Sequence, residues 1–246
     1  MDSGLTPREL DRIRHTLSAI PADAASCLEI GFSDLRVTRM LREQIDGVSI
    51  DLPHGVNNKA EYKLVFADIG QLPFRDQSFD LVLCTEVLEH LPSDVLAQAS
   101  VELQRVASKY ILVTVPFRQR VWNELFRCRY CAYQCNTMGH LHWFDFSKVD
   151  SLFPRMWNRR RETIGEVPGY APDWLYALGR SIGRVWYRDV YDCPAGTCPR
   201  CNRQDAAIAP TRAGWFIQRI IWRIERAVRP QPAWLLAIYT VSAVLG

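Results

Sequence analysis

Two cysteine pairs, Cys128-Arg-Tyr-Cys131 and Cys198-Pro-Arg-Cys201, carry the sharpest chemistry in this sequence. Thiolates spaced by two residues can hold half of a tetrahedral zinc site from one tight turn, and two such pairs complete it. A long separation between the pairs is normal when two loops meet in space. Thiolates bound to zinc are deprotonated and inert, so the expectation is a structural site with no open coordination position. Cys135 and Cys193 lie in the same stretch, and either could replace a member of the four. Cys27 sits in an apolar run and reads as core. A second chemical set comprises residues that close short apolar runs: Gly31, Asp51 and Asp68.

Those runs define the elements that must position these groups. Thr6 to Ile20 predicts an opening helix, with Thr6 as N-cap, Pro7 in the first turn and Glu9 completing a capping box. Strand and helix patterns then alternate. Strands are predicted at Ser26 to Ile30, Val48 to Ile50, Leu64 to Ala67, Phe79 to Cys84 and Ile111 to Val115, with helices after the first and fourth. Alternation of this kind predicts an α/β fold, a doubly wound, mainly parallel sheet with ligands at the carboxyl ends of its strands. From Phe117 the composition shifts to cysteine, tryptophan and arginine. A helix-strand pair near Phe146 to Val167 interrupts this stretch. A long amphipathic helix follows at Ala213 to Val228, and a last buried strand at Trp234 to Val241.

Leu28-Glu29-Ile30-Gly31-Phe32-Ser33-Asp34-Leu35 resembles the first motif of class I S-adenosylmethionine-dependent methyltransferases. Asp51 follows Gly31 by about 20 residues, the interval at which an acid grips ribose hydroxyls. Phe66-Ala67-Asp68-Ile69, Leu72-Pro73-Phe74, Phe79-Asp80-Leu81-Val82 and Val87-Leu88-Glu89-His90-Leu91 are similar to the same family in order and spacing. The resemblance implies a seven-stranded sheet and S-adenosylmethionine (SAM) as cofactor. It implies that Gly31 and Ser33 bring backbone to the cofactor and that Glu29 helps place the loop and the cofactor amine. It implies Asp51 and Leu52 at the ribose, Asp68 and Ile69 at the adenine, and Cys84 to Glu86 along the methionine wall. The family usually has further glycines where this chain has Ser33 and Leu35. Some of its members also carry a CxxC insert after the fifth strand and a second CxxC further on, which here matches the zinc-stapled insert.

The division read from the sequence is a SAM-binding α/β core over 1–117, an insert with the cysteine cluster and later core elements over 118–212, and a helix with the final strand over 213–246 completing the core. Catalysis needs a nucleophile held in line with the methyl group, and a hydroxyl acceptor gains from a base. His140 and His142, in Gly139-His140-Leu141-His142-Trp143, are the candidate bases; each could instead serve the zinc site.

At 246 residues the chain can bury one sizeable core, and 48% hydrophobic with 23% charged residues fit a globular protein. A net charge of +3 does not argue for nucleic acid. The charged start has no secretory pattern and no apolar run reaches a membrane span, so the cytosol is the expected compartment. The function expected is methyl transfer, to oxygen, on a small molecule, sugar or lipid-linked metabolite. An RNA methyltransferase and a non-catalytic binding module are the alternatives. Arginines line the helix at 213–229, which either packs on the sheet or lies on an anionic membrane.

Overall fold

The structure, a computed structural model, describes residues 5–32, 35–53, 62–186 and 197–241. Helix α1 (Pro7–Ser18) opens on the capping box, Thr6 and Glu9 each satisfying the other's backbone N–H. Then follow β1 (Cys27–Ile30), α2 (Arg36–Arg42), β2 (Gly47–Asp51), β3 (Leu64–Phe66), β4 (Phe79–Thr85) and a 3₁₀ turn at Leu88–His90. Helix α3 (Ser93–Val106) leads into β5 (Ala107–Pro116). Two short strands come next, β6 (Leu125–Arg127) and β7 (Gln134–Asn136), before α4 (Phe146–Leu152) and β8 (Met156–Val167). Helices α5 (Asp173–Ile182) and α6 (Arg212–Ala227) and strand β9 (Gln231–Val241) complete the chain.

Seven strands form one sheet in the order β3-β2-β1-β4-β5-β9-β8. The pairs joining β3, β2, β1, β4 and β5 are parallel, and β9 runs antiparallel to β5. Strands β1 and β4 are buried almost throughout because they lie inside the sheet, which explains their unbroken apolar runs. Leu28, Val82, Ile111, Val113, Leu235 and Tyr239 anchor a continuous core that α3 closes with Leu103, and α4 with Val149 and the Phe153 that follows it.

The chain forms two compact units. The first takes in Met1–Arg118, Phe144–Gly165 and Pro232–Gly246; the second takes in Gln119–Trp143 and Glu166–Gln231. The sheet and its helices make the first. The second holds the β6–β7 hairpin, the four paired cysteines, α5 and α6. Here the structure departs from the division expected at 213, which gave α6 to the sheet. Ile217 and Ile221 of α6 pack instead on Ala171, Leu175 and Tyr176, so α6 belongs with α5. Gly183 and Gly214 permit that pairing: a Cβ on Gly214 would lie 2.0 Å from the Gly183 carbonyl oxygen.

Candidate functional site

In the first unit, four neighbouring strands deliver their polar end residues to one edge. At the end of β1, Gly31 has φ +79°, and a Cβ there would come within 2.7 Å of Val87 Cγ2. Only glycine suits that position, both for its backbone angle and for the space above it. At the end of β2, Asp51 Oδ2 accepts from Phe32 N (3.0 Å) and Oδ1 accepts from Leu52 N (2.7 Å). One carboxylate thereby fixes the turns that leave both strands. A carboxylate has about four acceptor sites, so two backbone bonds do not exhaust its capacity for hydroxyls. Past β3, the exposed Asp68 accepts from Gly70 N at 2.8 Å. Leu52 is exposed, and Phe66 stands half-exposed against Phe32 with ring centroids 5.9 Å apart. Ser33 lies outside the described residues.

Leu35 stands where a glycine would be at ease, with φ +66° and ψ +8° at the start of α2. A left-handed residue costs roughly 1–2 kcal/mol. Burying a leucine side chain returns roughly 2–3 kcal/mol, and Leu35 is buried. The side chain's packing thus outweighs the strain of its backbone.

Three residues expected at the cofactor are placed differently. Glu29 is fully buried: Ser49 Oγ donates to its Oε2 at 2.6 Å and Arg42 Nη2 lies 3.8 Å away. Its carboxylate braces β1, β2 and α2 against one another. Burial pushes its pKa up, against the hydrogen bond from Ser49. Cys84 is sealed in the core, where burial raises its thiol pKa, and it offers a crevice only its backbone. Ile69 also packs into the core. Strand interiors read from sequence give a residue's position without the face it takes.

Glu86, just past β4, has φ +55° and a network that sequence reasoning missed. Trp234 Nε1 of β9 donates to its Oε2 at 2.8 Å, Thr114 Oγ1 to its Oε1 at 3.3 Å, and Arg12 of α1 lies 3.9 Å away. Arg8 and Arg12, one helical turn apart, both stand over the Trp234 ring at 5.3 and 5.4 Å. A buried indole N–H needs an acceptor, which was the one available signal for this pairing. One turn on, Glu89 is fully buried and neither of its carboxylate oxygens accepts a hydrogen bond among the described residues. Burial, then the charge of Glu86, holds its pKa well above the usual carboxylate range.

In the second unit, the Sγ atoms of Cys128, Cys131, Cys198 and Cys201 all lie within 4.8 Å of one another. Cys128 and Cys201 are 3.8 Å apart, Cys131 and Cys198 3.7 Å. Four sulfurs at the zinc–thiolate length of about 2.3 Å stand about 3.8 Å apart at the corners of a tetrahedron. The two pairs are built alike. In each, the first cysteine's carbonyl accepts from the residue four further on: Ala132 N to Cys128 O (3.1 Å) and Asn202 N to Cys198 O (2.9 Å). In each, the N–H of the first cysteine is taken by the carbonyl five residues on, Tyr133 or Arg203, and the residue after the second cysteine is left-handed. The donor set, its spacing and this repeated turn fit one zinc ion. Cys135 is not part of the cluster among the described residues, and Cys193 lies outside them.

His140 and His142 also lie in the second unit, apart from the four thiols. His140 is buried; its Nδ1 meets Gln119 Oε1, and Asn136 Oδ1 accepts from its backbone N at 3.3 Å. A carbonyl partner requires Nδ1 to carry the proton, the tautomer whose Nε2 has the lone pair of a base.

Residues 28–128 match the model of the methyltransferase domain family, which spans β1 to the first cysteine of the cluster. This segment is similar to a methyltransferase domain. The enzyme class is SAM-dependent methyltransferase. A SAM-dependent methyltransferase from Archaeoglobus fulgidus is similar in structure, with TM-score 0.52 and 14% identity over 95% of this chain and 94% of that one. The N-methyltransferase NodS from Bradyrhizobium japonicum gives TM-score 0.52 at 14% identity, covering 98% and 99%. The 1,6-didemethyltoxoflavin-N1-methyltransferase of Burkholderia thailandensis, solved with S-adenosylhomocysteine, gives 0.50 at 11%, covering 94% and 78%. At these identities the likeness carries the fold: the mainly parallel, seven-stranded sheet of the class I methyltransferases. No curated protein sequence matches the chain. No described helix of the methyltransferase is long and apolar enough to cross a membrane.

Proposed function

We propose that this methyltransferase binds SAM along the carboxyl ends of β3, β2, β1 and β4 and methylates an oxygen of a small molecule, sugar or lipid-linked metabolite. The observation that carries the reading is the Gly31 turn, closed to any Cβ and tied by Asp51 through Phe32 N. In this reading Gly31 presents backbone to the cofactor. Asp51 and Leu52 take the ribose, and Asp68 takes the adenine amino group, with Ile69 supporting that wall from the core. Glu86 forms the methionine wall. When bound, SAM supplies an electrophilic methyl group on a sulfonium.

The chain's own part is to hold the acceptor in line and to take its proton. His140 is the favoured base because Gln119 sets its tautomer, and His142 is the second candidate. The four cysteines hold a structural zinc that shapes the second unit. Radiolabelled methyl transfer from SAM into extracts, fractionated into lipid-soluble, small polar and RNA pools, tests the acceptor class. Label in the lipid or small polar pools, lost in His140→Ala, is the expected result. Label confined to RNA would overturn it.

A further inference from the structure

We propose that the outward surface of the α5–α6 pair docks on an anionic membrane. Helix α6 spends Gly214, Ile217 and Ile221 on its contact with α5. On the far side, Trp215, Arg219, Trp222 and Arg226 recur at steps of four, three and four and form one straight stripe. Arg212, Phe216, Arg219 and Arg223 form a second stripe beside it at the same steps. Phe216 is 67% exposed, Trp215 57% and Trp222 49%. The structure turns Trp215 and Phe216 out among the arginines. The only acid on α6, Glu225, accepts from Tyr176 Oη of α5, which leaves the outward stripes without negative charge. On α5, Trp174, Leu178 and Ile182 repeat every four residues and are all exposed.

Large indoles beside arginines are what a headgroup layer takes: guanidinium to phosphate, indole to the boundary above the acyl chains. The charge pattern and the apolar residues together select this occupant. Arginine with aromatics would also suit RNA, but the aliphatic Leu178 and Ile182 offer nothing to a base or a phosphate. A second copy of the chain would set one arginine stripe against another, which like-charge repulsion disfavours.

Co-sedimentation of the full chain with phosphatidylcholine vesicles, with and without phosphatidylglycerol, tests the proposal. It predicts pelleting with the anionic vesicles only, weakened by salt. Each arginine near an anionic surface contributes about fivefold in affinity, so Arg219→Gln with Arg226→Gln weakens binding roughly thirty-fold. Trp215→Ala with Trp222→Ala also weakens it, and both variants keep the wild-type helical far-ultraviolet circular dichroism because the replaced side chains face outward. Wild-type protein that stays in solution with anionic vesicles, whether it binds a uridine homopolymer, self-associates or does neither, overturns the proposal. So does binding that the tryptophan replacements leave unchanged.

Discussion

The two units reach order by opposite means. The first buries a continuous apolar core across a seven-stranded sheet and can place polar groups at the strand ends on a rigid frame. Around its thiols, the apolar cluster that the second unit buries among the described residues is Phe126, Cys128, Cys198 and Ala206, two of them metal-ligand candidates. A cluster that small does not hold the turns around it by hydrophobic burial alone, and a metal staple is the usual remedy. The thiols differ accordingly. Burial pushes Cys27 up to about 12 and raises Cys84 as well, so neither ionises at neutral pH, while the four clustered thiols converge at zinc-site distances. Cysteine count alone says little; the company a thiol keeps decides its chemistry.

The largest effect that this contrast predicts is metal removal. Purified protein is expected to hold one zinc per chain by elemental mass spectrometry. Binding of zinc to such sites is worth about 10–16 kcal/mol in small domains, so chelation should abolish the near-ultraviolet signal of the aromatics around the thiols. The sheet's far-ultraviolet signal should persist. Metal-free protein with intact aromatic signals would break the comparison. Within the first unit, Gly31→Ala comes next. The left-handed backbone costs about 1–2 kcal/mol and the overlap with Val87 about 1–3 kcal/mol more. Thermal stability and S-adenosylhomocysteine affinity should both fall, the latter at least tenfold in a titration.

Leu35→Gly sharpens the same point at a smaller scale. Relief of about 1–2 kcal/mol of strain partly offsets the roughly 2–3 kcal/mol of lost burial. Denaturant unfolding should show a net loss near 1 kcal/mol, below the 2–5 kcal/mol usual for truncating a buried leucine. A loss in the usual range would mean that the left-handed turn is unstrained. The last prediction is a slope rather than a step. Glu89 binds its proton more tightly when folded than at its ordinary 4.5, so the folded state holds the extra proton and stability falls as pH rises from about 4.5 toward the raised value. Glu89→Gln removes that term. Its stability relative to wild type should therefore climb with pH across the window and stay flat below it, as read from melting temperatures at several pH values.

Much of the first unit was legible in the sequence because each signal was local. Thr6-Pro7-x-Glu9 caps a helix wherever it occurs, and runs such as Leu81 to Cys84 are strands because both their faces are covered. The paired cysteines were legible for the same reason: each CxxC makes its own turn. What sequence did not give depends on partners distant along the chain. Glu86 meets Trp234 only because β9 returns beside β5, and nothing near residue 86 signals it. Glu29 and Cys84 were placed at the cofactor by motif position, while the sheet's faces turned them inward. In α6 the isoleucine and tryptophan rows were indistinguishable by hydrophobicity; α5 chose the isoleucines.

Calorimetric titration of S-adenosylhomocysteine into wild type and Asp51→Ala tests the central claim most directly. The account predicts one site of micromolar affinity, weakened roughly thirty-fold or more in the variant, since charged hydrogen bonds to two hydroxyls are lost. A folded wild type that gives no heat of binding, or a variant that binds as wild type does, would contradict it.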